Sequence, residues 1–204
     1  DGTSSVAPTV GEGTEASPWH ITNGAELAYI IKNGGEGKSY ILTSDIYLND
    51  ITKINWSTGT VAQGYSLNKW YSSYNNNSNT FSGKIDGNGH TIYGLYMANG
   101  SDSTAGFFKT ISAGGVLKNV NFKGAYVVAA DSASNKANGF ISIVSAQVMG
   151  GTIDTVTVGG KIGIAEGKFV NFIGSVTARI TTGASTIKNC TSDVYIDLHK
   201  MSTT

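Results

Sequence analysis

A repeat constrains this chain more than any other feature. Four segments share one pattern: an apolar residue, two turn-type positions, a second apolar residue, a spacer and a third inward position. They read Ile92-Tyr-Gly-Leu95-Tyr-Met97, Leu117-Lys-Asn-Val120-Asn-Phe122, Ile153-Asp-Thr-Val156-Thr-Val158 and Ile187-Lys-Asn-Cys190-Thr-Ser192. The fourth copy is degenerate, because Ser192 fills its last inward slot. A second element precedes three of them: Ala105-Gly-Phe-Phe-Lys-Thr-Ile111, Asn138-Gly-Phe-Ile-Ser-Ile-Val144 and Val170-Asn-Phe-Ile-Gly-Ser-Val176. Phe107, Phe140 and Phe172 are therefore 33 and 32 residues apart. One such unit cannot bury its own apolar side chains, whereas stacked units align them into ladders.

This pattern predicts an all-β chain folded as a right-handed parallel β-helix, a solenoid, with a short N-terminal capping helix. Each coil offers short strands with period-2 alternation, one side facing in and the other facing water. Gly94, Asn119, Thr155 and Asn189 interrupt the alternation between two inward residues, where the chain must bend. Gly reaches positive φ freely and Asn does so at modest cost. The expected ladders are Ile92, Leu117, Ile153 and Ile187, beside Leu95, Val120, Val156 and Cys190. A sandwich of two antiparallel sheets is the alternative that strand pattern alone leaves open.

The chain ahead of the repeats is of another kind. Ala25 to Lys32 puts Leu27, Ile30 and Ile31 on one helical face, with Thr22 or Asn23 as N-cap and Asn33-Gly34 as stop. A strand is expected over Ser39 to Leu48. The expected organisation is a linker or processed end at 1–14, the helix-plus-strand cap at 15–48 and an aromatic-rich polar insertion at 49–80. The β-helix coils follow at 81–198 and a tail at 199–204, so that 15–198 make one structural domain. A helix at the start covers a strand edge that would otherwise recruit other chains. No comparable cover is visible after Leu198, so a longer parent protein is expected.

Composition narrows the function classes. The 14 basic and 14 acidic side chains cancel, and Arg179 is the sole arginine. Nucleic-acid binders and enzymes that grip polyanions use several forked guanidiniums, so neither is expected as a class. The single cysteine, Cys190, allows no internal disulfide and sits in an apolar slot as a small hydrophobe. No apolar run is long enough for membrane insertion.

Pro18-Trp-His-Ile-Thr-Asn-Gly-Ala-Glu-Leu27, Tyr40-Ile-Leu-Thr-Ser-Asp-Ile-Tyr-Leu48 and Phe81-Ser-Gly-Lys-Ile-Asp-Gly-Asn-Gly-His-Thr-Ile92 occur in that order. In these blocks the chain resembles the GLUG-type repeat modules, pectin-lyase-like β-helices of bacterial surface and secreted proteins. The resemblance covers about residues 11 to 198, with Gly106-Phe-Phe and Gly139-Phe-Ile standing where the family has Gly-Leu-Phe-Gly. It implies an extracytoplasmic β-helix, secreted or at the cell surface. It implies little chemistry, since the same coil hosts lyases, hydrolases, adhesins and inert stalks.

Asp86-Gly87-Asn88-Gly89-His90 offers a carboxylate and an imidazole on a glycine turn. Acid–base chemistry is one reading of it; a structural turn is the favoured one, because one His and one Asp make no ligand set. Glycoside hydrolysis needs paired carboxylates. Asp102, Asp131, Asp154, Glu166, Asp193 and Asp197 do not recur at matching coil positions, and the slot of Asp154 is shared with Lys118 and Lys188. His20, His90 and His199 have no metal-ligand spacing. No catalytic residue, metal or cofactor is expected.

The aromatics of the insertion carry the functional expectation. Trp56, Trp70, Tyr71 and Tyr74 can stack on sugar rings, and Asn75, Asn76 and Asn77 can bond hydroxyls; Tyr93 and Tyr96 extend such a surface. Packing of these rings against the coil is the competing expectation. The leading function is a non-catalytic binding or display module, adhesin-like, whose ligand is a glycan or a host or partner protein. A polysaccharide lyase or glycoside hydrolase and a structural spacer are the alternatives.

Overall fold

The computed structural model describes residues 4–56, 58–71, 80–98, 104–129, 139–165, 170–181 and 183–198. The fold is mostly β, with parallel sheets. Among the described residues one sheet has ten strands, others have four and three, and a small antiparallel pair joins Ile54–Asn55 to Thr60–Val61. Parallel pairing rules out the sandwich of antiparallel sheets.

The sequence repeats supply these sheets in a fixed order. Thr104–Ala105, Phe108–Ser112 and Val116–Ala129 go to the three-, four- and ten-stranded sheets respectively. Phe140–Ile141, Ser145–Met149 and Thr152–Ile164 do the same one repeat later. Phe172–Ile173, Thr177–Ile180 and then Thr186–Lys188 with Thr191–Asp197 follow. Each strand pairs in parallel with its counterpart, and apolar side chains collect on the inner side.

Register corrects the expected ladders. Ile153 lies between Leu117 and Ile187, but the residue beside Leu117 on the other side is Ile85, with Tyr40 beyond it. Ile92 instead joins Ile46, Phe122, Val158 and Ser192. Leu95 likewise leaves the column of Val120 and Val156, its carbonyl accepting from Tyr126 N. Ile92-Tyr-Gly-Leu95-Tyr-Met97 thus matches Phe122-Lys-Gly-Ala125-Tyr-Val127, because Asp86 to His90 adds residues to the preceding bend. A pattern this short fits two neighbouring positions, and only pairing separates them. The upstream motif slips in the same way. Phe140 stacks on Phe172 at 5.3 Å, with Thr104 and not Phe107 opposite Phe140.

The bends themselves fall where the residue types direct. Asn119, Thr155 and Asn189 have φ of 54°, 55° and 54°, and Asn88 has 51°. Gly94 and Gly124 turn a separate corner, at φ 70° and 62°.

The helix spans Gly24–Asn33. Asn23 is its N-cap, with Oδ1 accepting from Ala25 N and Glu26 N, while Glu26 accepts from Thr22 N and Oγ1. Gly34 at φ 72° ends it, and Leu27, Ala28, Ile30 and Ile31 are buried. The strand expected over Ser39 to Leu48 is broken into Ser39–Leu42 and Ile46–Tyr47. The N-terminal segment is more than a cover. Trp19–Ile21 and Ser39–Leu42 pair with each other, and the latter with Lys84–Asp86, in the main sheet.

The described part of the insertion lies against the same sheet. Asn49 Nδ2 donates to the Gly94 carbonyl at 2.7 Å, and Asn49 Oδ1 accepts from Asn68 N. A Cβ at Gly124 would meet Ile51 and Trp56 at 2.5 and 3.0 Å, so that glycine lets the insertion come close. Among the described residues no helix is long and apolar enough to cross a membrane.

Candidate functional site

Pairing decides which outward residues meet. Column by column, the main sheet sets Tyr96 beside Tyr126, Tyr126 beside Lys161 and Lys161 beside Tyr195. Tyr96 and Tyr126 stack at 5.8 Å and 28°, and Trp56 comes in from the insertion to meet Tyr126 edge-on at 6.3 Å and 85°. Burial raises the Tyr126 pKa, helped by the Tyr96 hydroxyl and the Asp197 carboxylate nearby. Burial does the same to Tyr96.

Lys161 continues this column in a different chemistry. Its side chain is only 4% exposed and its Nζ lies 3.1 Å from Asp197 Oδ2 and 5.4 Å from the centre of the Tyr195 ring. A buried ammonium needs such a partner, since an uncompensated charge there is costly. Tyr195 itself is 54% exposed. Trp56, Gly160, Lys161 and Tyr195 line a groove of about 300 Å³. Its glycine is required, because a Cβ at Gly160 would stand 2.1 Å from the Ala125 carbonyl oxygen. The strand is irregular just there, with a shift of register between Phe122 and Ala125. Two ring walls and the Lys161 ammonium, itself paired with Asp197, together suit a ligand with apolar faces and hydroxyl edges.

The expected sugar-binding set does not stay together. Trp56 and Tyr96 belong to the group just described. Trp70 is a correction: it is 4% exposed, lies flat on Phe107, and its Nε1–H donates to the Phe107 carbonyl. Burial of its large apolar area wins over display. Tyr71 is exposed, with Lys69 Nζ 5.7 Å above its ring. Tyr93 stacks on the outward Tyr47 at 4.6 Å and 4°. Tyr74, Asn75, Asn76, Asn77, Asp102, Asp131, Glu166 and His199 lie outside the described residues.

Tyr126, Lys161 and Tyr195 escaped the sequence reading. Aligning Ile92 with Phe122 would have paired Tyr96 with Tyr126, but Lys161 and Tyr195 join that column only through the register shift between Phe122 and Ala125.

Asp86 to His90 form a hydrogen-bonded turn. Asp86 accepts from Asn88 N and Asn119 Nδ2 and pairs with Lys118 Nζ at 3.0 Å, while His90 N donates to the Gly87 carbonyl. A Cβ at Gly87 would approach the Asn119 carbonyl oxygen to 2.4 Å. Burial works to raise the Asp86 pKa, but the bonds from Asn88, Lys118 and Asn119 outweigh it and hold the carboxyl below its usual value. A carboxylate so engaged is a poor proton carrier at neutral pH. His90 Nδ1 lies 3.2 Å from Asp45 Oδ1, which also accepts from Thr91 N. Two repeats on, Asp154 takes a bond from Asn189 Nδ2 and pairs with Lys188 at 3.4 Å. The column therefore alternates Asp86, Lys118, Asp154, Lys188. Among the described residues no three His, Cys, Asp or Glu side chains come close enough to hold a metal ion.

Comparison with known proteins gives two distant relatives. Over 174 residues the chain is 30% identical to halomucin of Haloquadratum walsbyi, a match that covers 81% of this chain and 2% of halomucin. Over 117 residues it is 29% identical to a protein of Evansella cellulosilytica whose name describes a Gly-rich membrane protein, covering 57% of this chain and 12% of that one. Both likenesses are to small parts of much longer proteins. No family model matches the chain. No solved structure matches it either.

Proposed function

We propose that the chain is a non-catalytic binding module of a secreted or cell-surface protein, folded as a right-handed parallel β-helix with the Gly24–Asn33 helix capping its first winding. Supporting the fold is the regular supply of strands from three successive repeats to each of three parallel sheets. Supporting the location are the name of the Evansella relative and the resemblance to surface-protein repeats.

One observation carries the binding reading. Rings from four stretches of chain far apart in sequence, Trp56, Tyr96, Tyr126 and Tyr195, come to one outward face beside a paired Lys161 and Asp197. Rings that are turned outward and kept in place by neighbours suit recognition of a glycan, because their position is set before the ligand arrives. Asp86 and Asp154 are consumed by ion pairs within the turn column, which favours a structural role over catalysis for them.

Binding of the chain to a panel of immobilised polysaccharides tests this reading, with shortening of the same polymers followed in parallel. Retention without shortening is expected. Shortening would mean a lyase or hydrolase. Neither retention nor shortening would leave the spacer reading.

A further inference from the structure

We propose that the groove between Trp56 and Tyr195 seats a single neutral pyranose ring of a polysaccharide, stacked on the tyrosine and bonded through its hydroxyls to Asp197 and Lys161. This rests on the glycan-binding reading and specifies where and what it binds.

Size comes first. A groove of about 300 Å³ is at the small end of ligand sites and has room for a sugar ring. The groove is a surface feature, so a polymer can run on in both directions while one residue occupies it.

The walls are held before any ligand arrives. Tyr195 lies over the Lys161 ammonium at 5.4 Å, which restrains a ring that is otherwise half exposed. Trp56 is braced edge-on against Tyr126, and Tyr126 is stacked on Tyr96. Little freedom remains for binding to remove, so a single ring contact is worth more here than on a mobile loop.

Charge then selects among ligands. Lys161 and Asp197 neutralise each other at 3.1 Å. A uronate or phosphate would gain no net attraction from a pair that is neutral as a whole. A purely apolar ligand would strip water from the same pair and return no hydrogen bond. A neutral sugar avoids both shortfalls: its C–H face covers the Tyr195 ring while its hydroxyls donate to the carboxylate and accept from the ammonium.

Calorimetric titration of the intact chain decides the matter, with neutral gluco-, manno- and galacto-oligosaccharides and an oligogalacturonate as probes. At least one neutral oligosaccharide should bind and the oligogalacturonate should not. Tyr195→Ala should weaken that binding about tenfold or more, as loss of a central ring does. Phe172→Ala, which removes another exposed ring from a different sheet, should leave it unchanged. Tyr195 is exposed, so its variant should melt close to the parent chain, and Tyr195→Phe should keep the affinity. Neutral binding that survives Tyr195→Ala and Trp56→Ala would overturn the site while sparing the glycan-binding reading. Preference for the oligogalacturonate would overturn the neutral ring. Failure of every saccharide would remove both.

Discussion

Trp70 lies flat against Phe107, ring centroids 4.9 Å apart and planes 12° from parallel, and its indole N–H donates to the carbonyl of that same residue at 3.1 Å. Phe107 in turn meets Phe122 at 5.3 Å. One ring of the insertion therefore reaches the core of the repeats and ties residues before the repeats to residues within them.

Trp70→Ala should cost about 3–5 kcal/mol of stability, the usual range for emptying a buried aromatic site. Trp70→Phe should cost less but still about 1–3 kcal/mol, since the Phe107 carbonyl loses its donor. Urea unfolding followed by circular dichroism measures both. A Trp70→Ala chain as stable as the parent would show that the insertion contributes nothing to the core.

Ser142 is wholly buried, and among the described residues its hydroxyl has no hydrogen-bond partner. Desolvating that group is unrewarded, so Ser142→Ala should stabilise the protein by about 1 kcal/mol. A rise in melting temperature is the readout. A fall would mean that the hydroxyl is bonded in solution.

Thr155 holds φ 55°, where the equivalent positions carry Asn119 and Asn189. A β-branched residue is strained in the left-handed region, and Asn is several-fold enriched there. Thr155→Asn should therefore stabilise by about 0.5–1 kcal/mol, measured by denaturant unfolding. Thr155→Val, which keeps the branch and loses the Oγ1 bond to Asp154, should destabilise instead.

Asp86 has a folded-state pKa below the ordinary 3.8, so its contribution to stability is present at neutral pH. It should disappear as pH falls from the ordinary carboxylate value through the lowered one, because the unfolded chain takes up the proton first. Asp86→Asn should lower stability at neutral pH by about 0.5–1 kcal/mol, given the exposure of the Lys118 pair, and the gap from the parent should close in acid. Melting temperatures of both chains across that range give the comparison. A gap that stays constant with pH would assign the loss to geometry and not to charge.

Much of this was legible along the chain. The Asn and Gly types at 119, 189 and 94 announced left-handed bends, because few other residues tolerate positive φ. Leu27, Ile30 and Ile31 announced a buried helical face, and Asn23 with Gly34 its two ends. The turn chemistry of Asp86 to His90 was readable for the same local reason.

The outward columns were not. A period-2 pattern repeats so soon that Ile92 fits beside Leu117 or beside Phe122 equally well, and a shift of one motif exchanges every neighbour. The fate of Trp70 was equally hidden: a tryptophan among Ser, Asn and Gly looks displayed until the hollow above Phe107 exists to receive it.

By itself the sequence determined the β-rich repeat, its bends and the capped helix, since each depends on the conformational preferences of a few adjacent residues. Tertiary structure alone decided that Tyr96, Tyr126, Lys161 and Tyr195 share a column and that Trp56 joins them. Those meetings depend on hydrogen bonds between strands tens of residues apart, and it is the core packing beneath them that selects one register over its neighbour.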